Sequence, residues 1–204
     1  MRLYLIRHGE TGHNFNRVMQ GHGEVPLNDT GIQQAVRLAQ RLTSMPLDRI
    51  YSSDLRRAVM TATVIAAYTG VPIEYDSGFR ERDPGQLTGL SYDVTEPFFT
   101  DRGYQPPGGE NVPVFEDRIR RAFAELTQRE FGRERHVAVV THGMVCAGFL
   151  RACAGFSDAD IEGRAWPNTS LTVADFDGAG WTMHTIADAA HLDDPVSTVH
   201  ATGG

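Results

Sequence analysis

The pattern that most constrains this chain is the repeated exchange of short apolar runs for helical apolar stripes. Arg2 to Arg7 (RLYLIR) reads as a short strand, and Ile32, Ala35, Val36, Ala39 and Leu42 then recur at helical spacing. Thr30 with Gln33 three residues later makes a capping-box pattern for that helix, and Met45-Pro46 closes it. Arg49 to Ser52 is a brief strand. Behind it, Ser53 or Asp54 can cap a helix with the stripe Leu55, Ala58, Val59, Ala62, Ile65 and Ala66, stopped at Gly70. Val71 to Tyr75 is a further strand, and from Asp76 to Gly109 no period persists. A long helix from Val112 to Phe131 turns Phe115, Ile119, Ala122, Phe123 and Leu126 inward. His136 to Thr141 (HVAVVT) is a buried strand followed by a helix from Met144 to Ala154. Leu171 to Phe176 and Trp181 to Ile186 form a hairpin around Asp177-Gly178, and the polar tail from Asp188 is expected to fray.

This alternation predicts an α/β fold of three layers, α/β/α, with helices on both faces of a mainly parallel sheet. With 204 residues and no repeat, linker or low-complexity block, the chain reads as one domain, 1–204. Residues 76–110 are expected to form an insertion or lid over the site.

Charge and cysteine usage narrow the function classes. A formal charge of −7 speaks against a general nucleic-acid binder, and no apolar stretch approaches the ~20 residues of a membrane span. The opening MRLYLIRHGE has too short an apolar run for a signal peptide, so a cytoplasmic setting is expected. All 19 basic residues are Arg. An anion site must therefore use Arg, His or backbone N–H groups, and lysine Schiff-base chemistry is excluded. Cys146 and Cys153 fall on one predicted helix, where seven residues separate Cα atoms by roughly 10 Å, too far for a disulfide. No HExxH or cysteine cluster supports a metal site, and no cofactor is expected.

Two predicted strands end alike, Ile6-Arg7-His8-Gly9 and Val140-Thr141-His142-Gly143. Ligands of open parallel sheets bind beyond the carboxyl ends of the strands, which would put both histidines on that rim. Arg7 precedes the first, Arg56-Arg57 opens a helix just after a strand, and Glu81 and Asp83 sit in a Gly-containing loop. Arginine forks suit phosphate, and imidazole is a competent nucleophile near neutral pH. Structural roles for such histidines remain open from position alone. Arg56 points about 100° from Arg57 on an ideal helix and reads as solvated. His13 and His22 are expected on the surface, with a substrate contact as the alternative. His136, His184, His191 and His200 read as structural or exposed.

The segments LIRHGETGHN, SSDLRRAVMTA, FRERDPGQLTG, PPGGEN and VVTHGM, in this order, resemble the signature segments of the histidine phosphatase superfamily, which includes the cofactor-dependent phosphoglycerate mutases. The resemblance spans Met1 to about His191 and implies a phosphoglycerate mutase-like fold. It also implies roles. His8 would form a phosphohistidine that water later hydrolyses, and Arg7, Arg57 and His142 would cradle the phosphoryl oxygens. Asn14 would donate a further hydrogen bond. Glu81 would protonate the leaving alcohol and then activate water, with Asp83 and Glu10 as competitors for that role. Gln20 and Gly21 would lie on the substrate side. Physically, phosphoryl transfer spreads charge over the equatorial oxygens, which fixed cations stabilise. That reasoning asks for a neutral His8, a protonated His142, and a Glu81 whose pKa is raised by burial or by bound phosphate.

The resemblance leaves a fork. Mutases of this family carry a larger, base-rich insertion, whereas Leu90 to Pro107 here holds one basic residue, Arg102, beside Tyr92, Phe98, Phe99 and Tyr104. Those aromatics either pack the insertion onto the domain or line a pocket for a bulky leaving group. The expectation is a metal-independent phosphomonoester hydrolase acting on a small phosphorylated metabolite. A mutase is the alternative, and a catalytically silent phosphate-binding member a more distant one.

Overall fold

The computed structural model describes residues 1–133 and 135–193. One six-stranded sheet organises them, with strand order β3-β2-β4-β1-β5-β6. Its strands are β1 (Arg2–Arg7), β2 (Arg49–Ser52), β3 (Ile73–Tyr75), β4 (His136–Thr141), β5 (Leu171–Phe176) and β6 (Trp181–Asp188). The first four pair in parallel, while β5 runs antiparallel to both β1 and β6. The helices are α1 (Gly12–Phe15), α2 (Asp29–Leu42), α3 (Arg56–Thr69), α4 (Glu96–Thr100), α5 (Val112–Glu130), α6 (Gly143–Ala152) and α7 (Asp158–Ile161).

Alternation along the central strands builds two cores. Leu3, Leu5, Val137 and Val139 face Phe115, Ile119, Phe123 and Phe149 of α5 and α6. Tyr4, Ile6, Ala138 and Val140 face Leu38, Ala39, Ala58 and Ala62 of α2 and α3. The period-2 pattern of the strands thus meets the helical stripes on both sides, giving the expected α/β/α layers. Among the described residues no helix is long and apolar enough to cross a membrane.

Several local expectations are corrected. The α2 cap is Asn28 rather than Thr30: its side-chain oxygen accepts from Gly31 N at 2.8 Å. Leu38 joins the buried stripe, while Ile32 and Val36 are only half-buried. Leu55 caps α3 without a side-chain bond, because Asp54 is paired bidentately with Arg80 and Ser53 turns toward His142. Strand β3 omits Val71 and Pro72. Strand β6 runs on to Asp188, which Arg41 holds at 2.5 Å, and Arg37 Nη1 donates to Leu192 O. The chain is therefore docked through Asp193 rather than frayed from Asp188; the rest of that expected tail lies outside the described residues. Short α1 and α7 have no counterpart in the apolar periodicity, since each rests on a capping box, Thr11/Asn14 and Ser157/Asp160.

Residues 76–110 contain three single 3-10 turns and α4. They begin against the end of β4, where Thr141 Oγ1 donates to Phe79 O at 2.7 Å. The first turn of α2 meets the loop after β1 even more closely. A Cβ added at Gly31 would lie 2.0 Å from Glu10 O, a backbone atom. Gly31→Ala should therefore cost about 1–3 kcal/mol and lower Tm by several degrees in thermal unfolding; an unchanged Tm would contradict this contact.

Candidate active site

Strand register brings the two histidines together. Arg7 is opposite Thr141 in the parallel β1–β4 pair, so the next residue on each strand is a histidine. His8 N extends the ladder to Thr141 O at 2.8 Å, and Ser53 N does so from β2 to Val140 O at 2.9 Å. Three strand ends thus deliver Ser53, His142 and His8 to one edge. The imidazole centroids of His8 and His142 are 5.2 Å apart, and His142 Nε2 meets Ser53 Oγ at 2.9 Å. His8 Nδ1 lies 2.7 Å from Gly9 O. A carbonyl only accepts, so Nδ1 carries the proton and Nε2 keeps a free lone pair.

Beyond this edge lies a cavity of about 200 Å³. Of the eight residues singled out in the sequence, seven line it: Arg7, His8, Asn14, Gln20, Gly21, Arg57 and Glu81. The eighth, His142, is fully buried beside His8. Arg7 Nη1 donates to Trp166 O, while Arg57 Nη2 and Nη1 donate to Gly21 O at 2.8 Å and Gly23 O at 3.4 Å. These carbonyls aim the guanidinium groups without neutralising them. Arg7 Nε, Arg57 Nε and His142 Nδ1 are buried without a partner. Two of these nitrogens belong to arginines lining the cavity, and such unmet donors are what an anion would satisfy. Asn14 Oδ1 accepts from Thr11 N at 3.2 Å, and Gln20 Oε1 accepts the one hydroxyl proton of Thr11 at 2.9 Å. Both amides are thereby fixed with their N–H groups left to give.

Burial governs the electrostatics. It lowers the pKa of Arg7 and brings Arg57 down to about 10, so both stay charged at neutral pH. His8 is held well below its ordinary value by burial first, then by Arg57 and Arg7. His142 is held down too, by burial, Arg57 and His8, with His22 and Arg7 adding to the effect. No carboxylate is among the causes that set the pKa of the His142 ring, so the protonated His142 expected during phosphoryl transfer would have to draw its stabilisation from the phosphoryl group itself. Glu81 is raised, mainly by burial, against the opposing pull of Arg82 N–H, Arg57, Met144 N–H and Arg7. Its Oε1 accepts from Arg82 N at 2.9 Å and its Oε2 from Met144 N at 3.3 Å, the latter in the first turn of α6.

The histidine phosphatase superfamily (branch 1) model matches residues 3–189. The chain belongs to this superfamily. It is 36% identical over 205 residues to phosphoglycerate mutase-like protein 4 of Arabidopsis thaliana, covering 94% of this chain and 87% of that one. Bacillus stearothermophilus YhfR superposes with a TM-score of 0.86 at 30% identity, covering 94% of this chain and 98% of that one. A mycobacterial glucosyl-3-phosphoglycerate phosphatase superposes with a TM-score of 0.80 at 30% identity, covering 91% and 98%.

Within this histidine phosphatase site, several residues carry more than their sequence positions suggested. Arg82 is fully buried, lines the cavity and spends its guanidinium on three carbonyls, Glu110 O, Phe98 O and Tyr104 O. Arg118 Nη2 and Nε pair with Glu110, while its Nη1 holds Gly78 O and Arg80 O and its Nη2 holds Glu81 O. His22, expected on the surface, is half-buried and reaches Glu81 O through Nε2 at 2.9 Å. Long-range clamps of this kind leave no local spacing signal. Ser53, a helix-cap candidate in the sequence, sits beside β4 through the sheet topology, with its hydroxyl at His142 Nε2.

The competitors fall elsewhere. Asp83 faces His22 at 3.6 Å, and Glu10 accepts from Asn28; neither lines the cavity. Arg56 is exposed as expected. His136 and His184 face Asp48 and Asp175, and His191 is buried against Thr169; His200 lies outside the described residues. Tyr92, Phe98 and Phe99 line the cavity, and Phe98 also packs on Arg82 of the same segment. Tyr104 does not line it. Cys146 and Cys153 are free, and burial pushes the Cys153 thiol up to about 12. With both histidine pKa values shifted downward, neither His8 nor His142 should take up a proton between pH 8 and 5.5 in phosphate-free buffer. Two-bond ¹H–¹⁵N NMR should also report an Nδ1–H tautomer for His8; an ordinary titration near about 6.5 would contradict the burial argument.

Proposed function

We propose that this protein is a metal-independent phosphomonoester hydrolase that works through a phosphohistidine on His8. The observation that carries this reading is the Nδ1–Gly9 O bond, which leaves a neutral Nε2 at a cavity shared with two charged arginines. In the first step Nε2 bonds to phosphorus, the P–O ester bond breaks, and the leaving oxygen takes the proton of the Glu81 carboxyl. In the second step a water oxygen attacks phosphorus and gives its proton to the Glu81 carboxylate. The P–Nε2 bond then breaks, releasing inorganic phosphate. Arg7, Arg57 and the Asn14 amide hold the equatorial oxygens; the phosphoryl charge arriving beside His8, 5.2 Å from the His142 ring, favours protonating His142. Gln20 and Gly21 border the leaving group.

Support for hydrolysis over mutase chemistry comes from the cations that are not free. A glycerate carboxylate would need its own positive partner, and Arg82 already commits Nε, Nη1 and Nη2 to three backbone carbonyls. Arg102 is paired with Glu116 and Asp158 on the surface. The structural relative described as a phosphatase agrees with this reading, and the Arabidopsis name keeps the mutase as the alternative. Two free thiols fit a reducing, cytoplasmic setting.

His8→Ala should reduce turnover by at least about a thousandfold, and EDTA should leave the wild-type rate unchanged. Glu81→Gln should slow hydrolysis of alkyl esters by roughly 10²–10⁴ but p-nitrophenyl phosphate far less, since that leaving group needs no proton. Equal slowing of both would remove Glu81 from the proton-donor role. Given 3-phosphoglycerate and 2,3-bisphosphoglycerate, the enzyme should release phosphate without appreciable 2-phosphoglycerate; rapid isomerisation would establish the mutase instead.

A further inference from the structure

The cavity does not end at the phosphoryl site. Tyr92 and Phe99, whose rings meet edge to face at 5.1 Å, line both the catalytic cavity and a second, outer trough of about 610 Å³. Arg17, Asp93 and Glu96 complete that trough. Two segments form this side of the mouth: Val18 pairs with Ser91 in a bridge, Tyr92 N donates to Arg17 O, and Met19 N donates to Leu90 O. Among the described residues eight large apolar side chains are exposed; Phe99 lines both the cavity and the trough, Leu90 is on the bridged segment, Val94 in the 3-10 turn that follows it, and Phe15 ends α1 two residues before Arg17. Exposed apolar surface gathered beside an active site marks a binding surface more often than chance scatter does.

The charges point the same way. Beyond Arg7 and Arg57 the one other cation lining the cavity is Arg82, whose Nε, Nη1 and Nη2 are each held by a backbone carbonyl and whose guanidinium lies over the Phe98 ring; Met19, Met144, Trp166, Tyr92, Phe98 and Phe99 form the apolar part of the wall. Arg17 faces Asp93 at 3.8 Å and lies over the Tyr92 ring, which leaves Glu96 as the unbalanced charge of the trough. A second phosphate or a carboxylate on the leaving group would have to compete with three carbonyls for Arg82 inside, and outside would meet two carboxylates against the single Arg17.

Resting on the phosphatase reading, we propose that the substrate is the phosphomonoester of an uncharged, apolar alcohol. Its chain runs from the phosphoryl site across the Tyr92–Phe99 wall into the outer trough. The first few carbons fill the catalytic cavity; the rest lie in the trough, with Phe99 at the joint.

Straight-chain alkyl phosphates from ethyl to octyl, kept below their micelle concentrations, test this directly. kcat/KM should rise roughly three- to fourfold per added methylene and keep rising past butyl, with glycerol phosphate well below propyl phosphate. Phe99→Ser should cut the octyl-to-ethyl ratio by about tenfold or more, and Glu96→Leu, on the exposed floor, should raise it. A flat series, or a Phe99→Ser enzyme slowed equally for ethyl and octyl esters, would overturn the proposal. Ethyl phosphate hydrolysis that His8→Ala abolishes keeps the phosphatase reading intact in that event. Failure of the wild type to hydrolyse any ester overturns both.

Discussion

A proton withheld from an imidazole underlies the rest of this structure. His8 is 2% exposed, its Nδ1–H is spent on Gly9 O, and two buried arginines share its cavity. Each makes a positive ring costlier: burial removes the water that would solvate the charge, and the arginines repel it. On the proposed mechanism, the surroundings that keep Nε2 nucleophilic are also those that would attract a phosphoryl dianion. Attraction of substrate and activation of the attacking atom would then have one electrostatic cause.

Glu81 shows the complementary arrangement. The carboxyl is raised chiefly by burial, in spite of Arg57 and Arg7 nearby. Its backbone is secured away from the cavity, by Arg118 Nη2 and His22 Nε2 on its carbonyl. Glu110 fixes Arg118 in turn and takes the Asp83 N–H at 3.0 Å. The acid therefore sits at the end of a braced segment rather than on a free loop. Such bracing restricts where the proton is delivered.

Much of this was legible in the sequence, and the reasons differ by element. β1, β2, β4 and β5 match their expected bounds because their apolar runs are short, sharply bounded and flanked by polar or Gly-containing loops. The inward face of α5 was equally plain, since five apolar residues recur at helical spacing and nothing competes with them. The caps of α2 and α3 were misread because side-chain caps depend on tertiary partners: Asn28 reaches Gly31, whereas Ser53 serves His142. The candidate site residues were found through ordered motifs, and the strand register explains why two of those motifs meet. Arg82 and Arg118 stayed hidden because their bonds go to backbone carbonyls up to 40 residues away, which spacing cannot encode.

The central claim is that a neutral His8 takes the phosphoryl group onto Nε2. Rapid quenching during turnover of a ³²P-labelled ester, followed by peptide mapping, tests it most directly. The account predicts a base-stable, acid-labile label that appears within the first turnover and maps to His8. Turnover with no protein-bound phosphate at any quench time, or a label on another side chain, would contradict it.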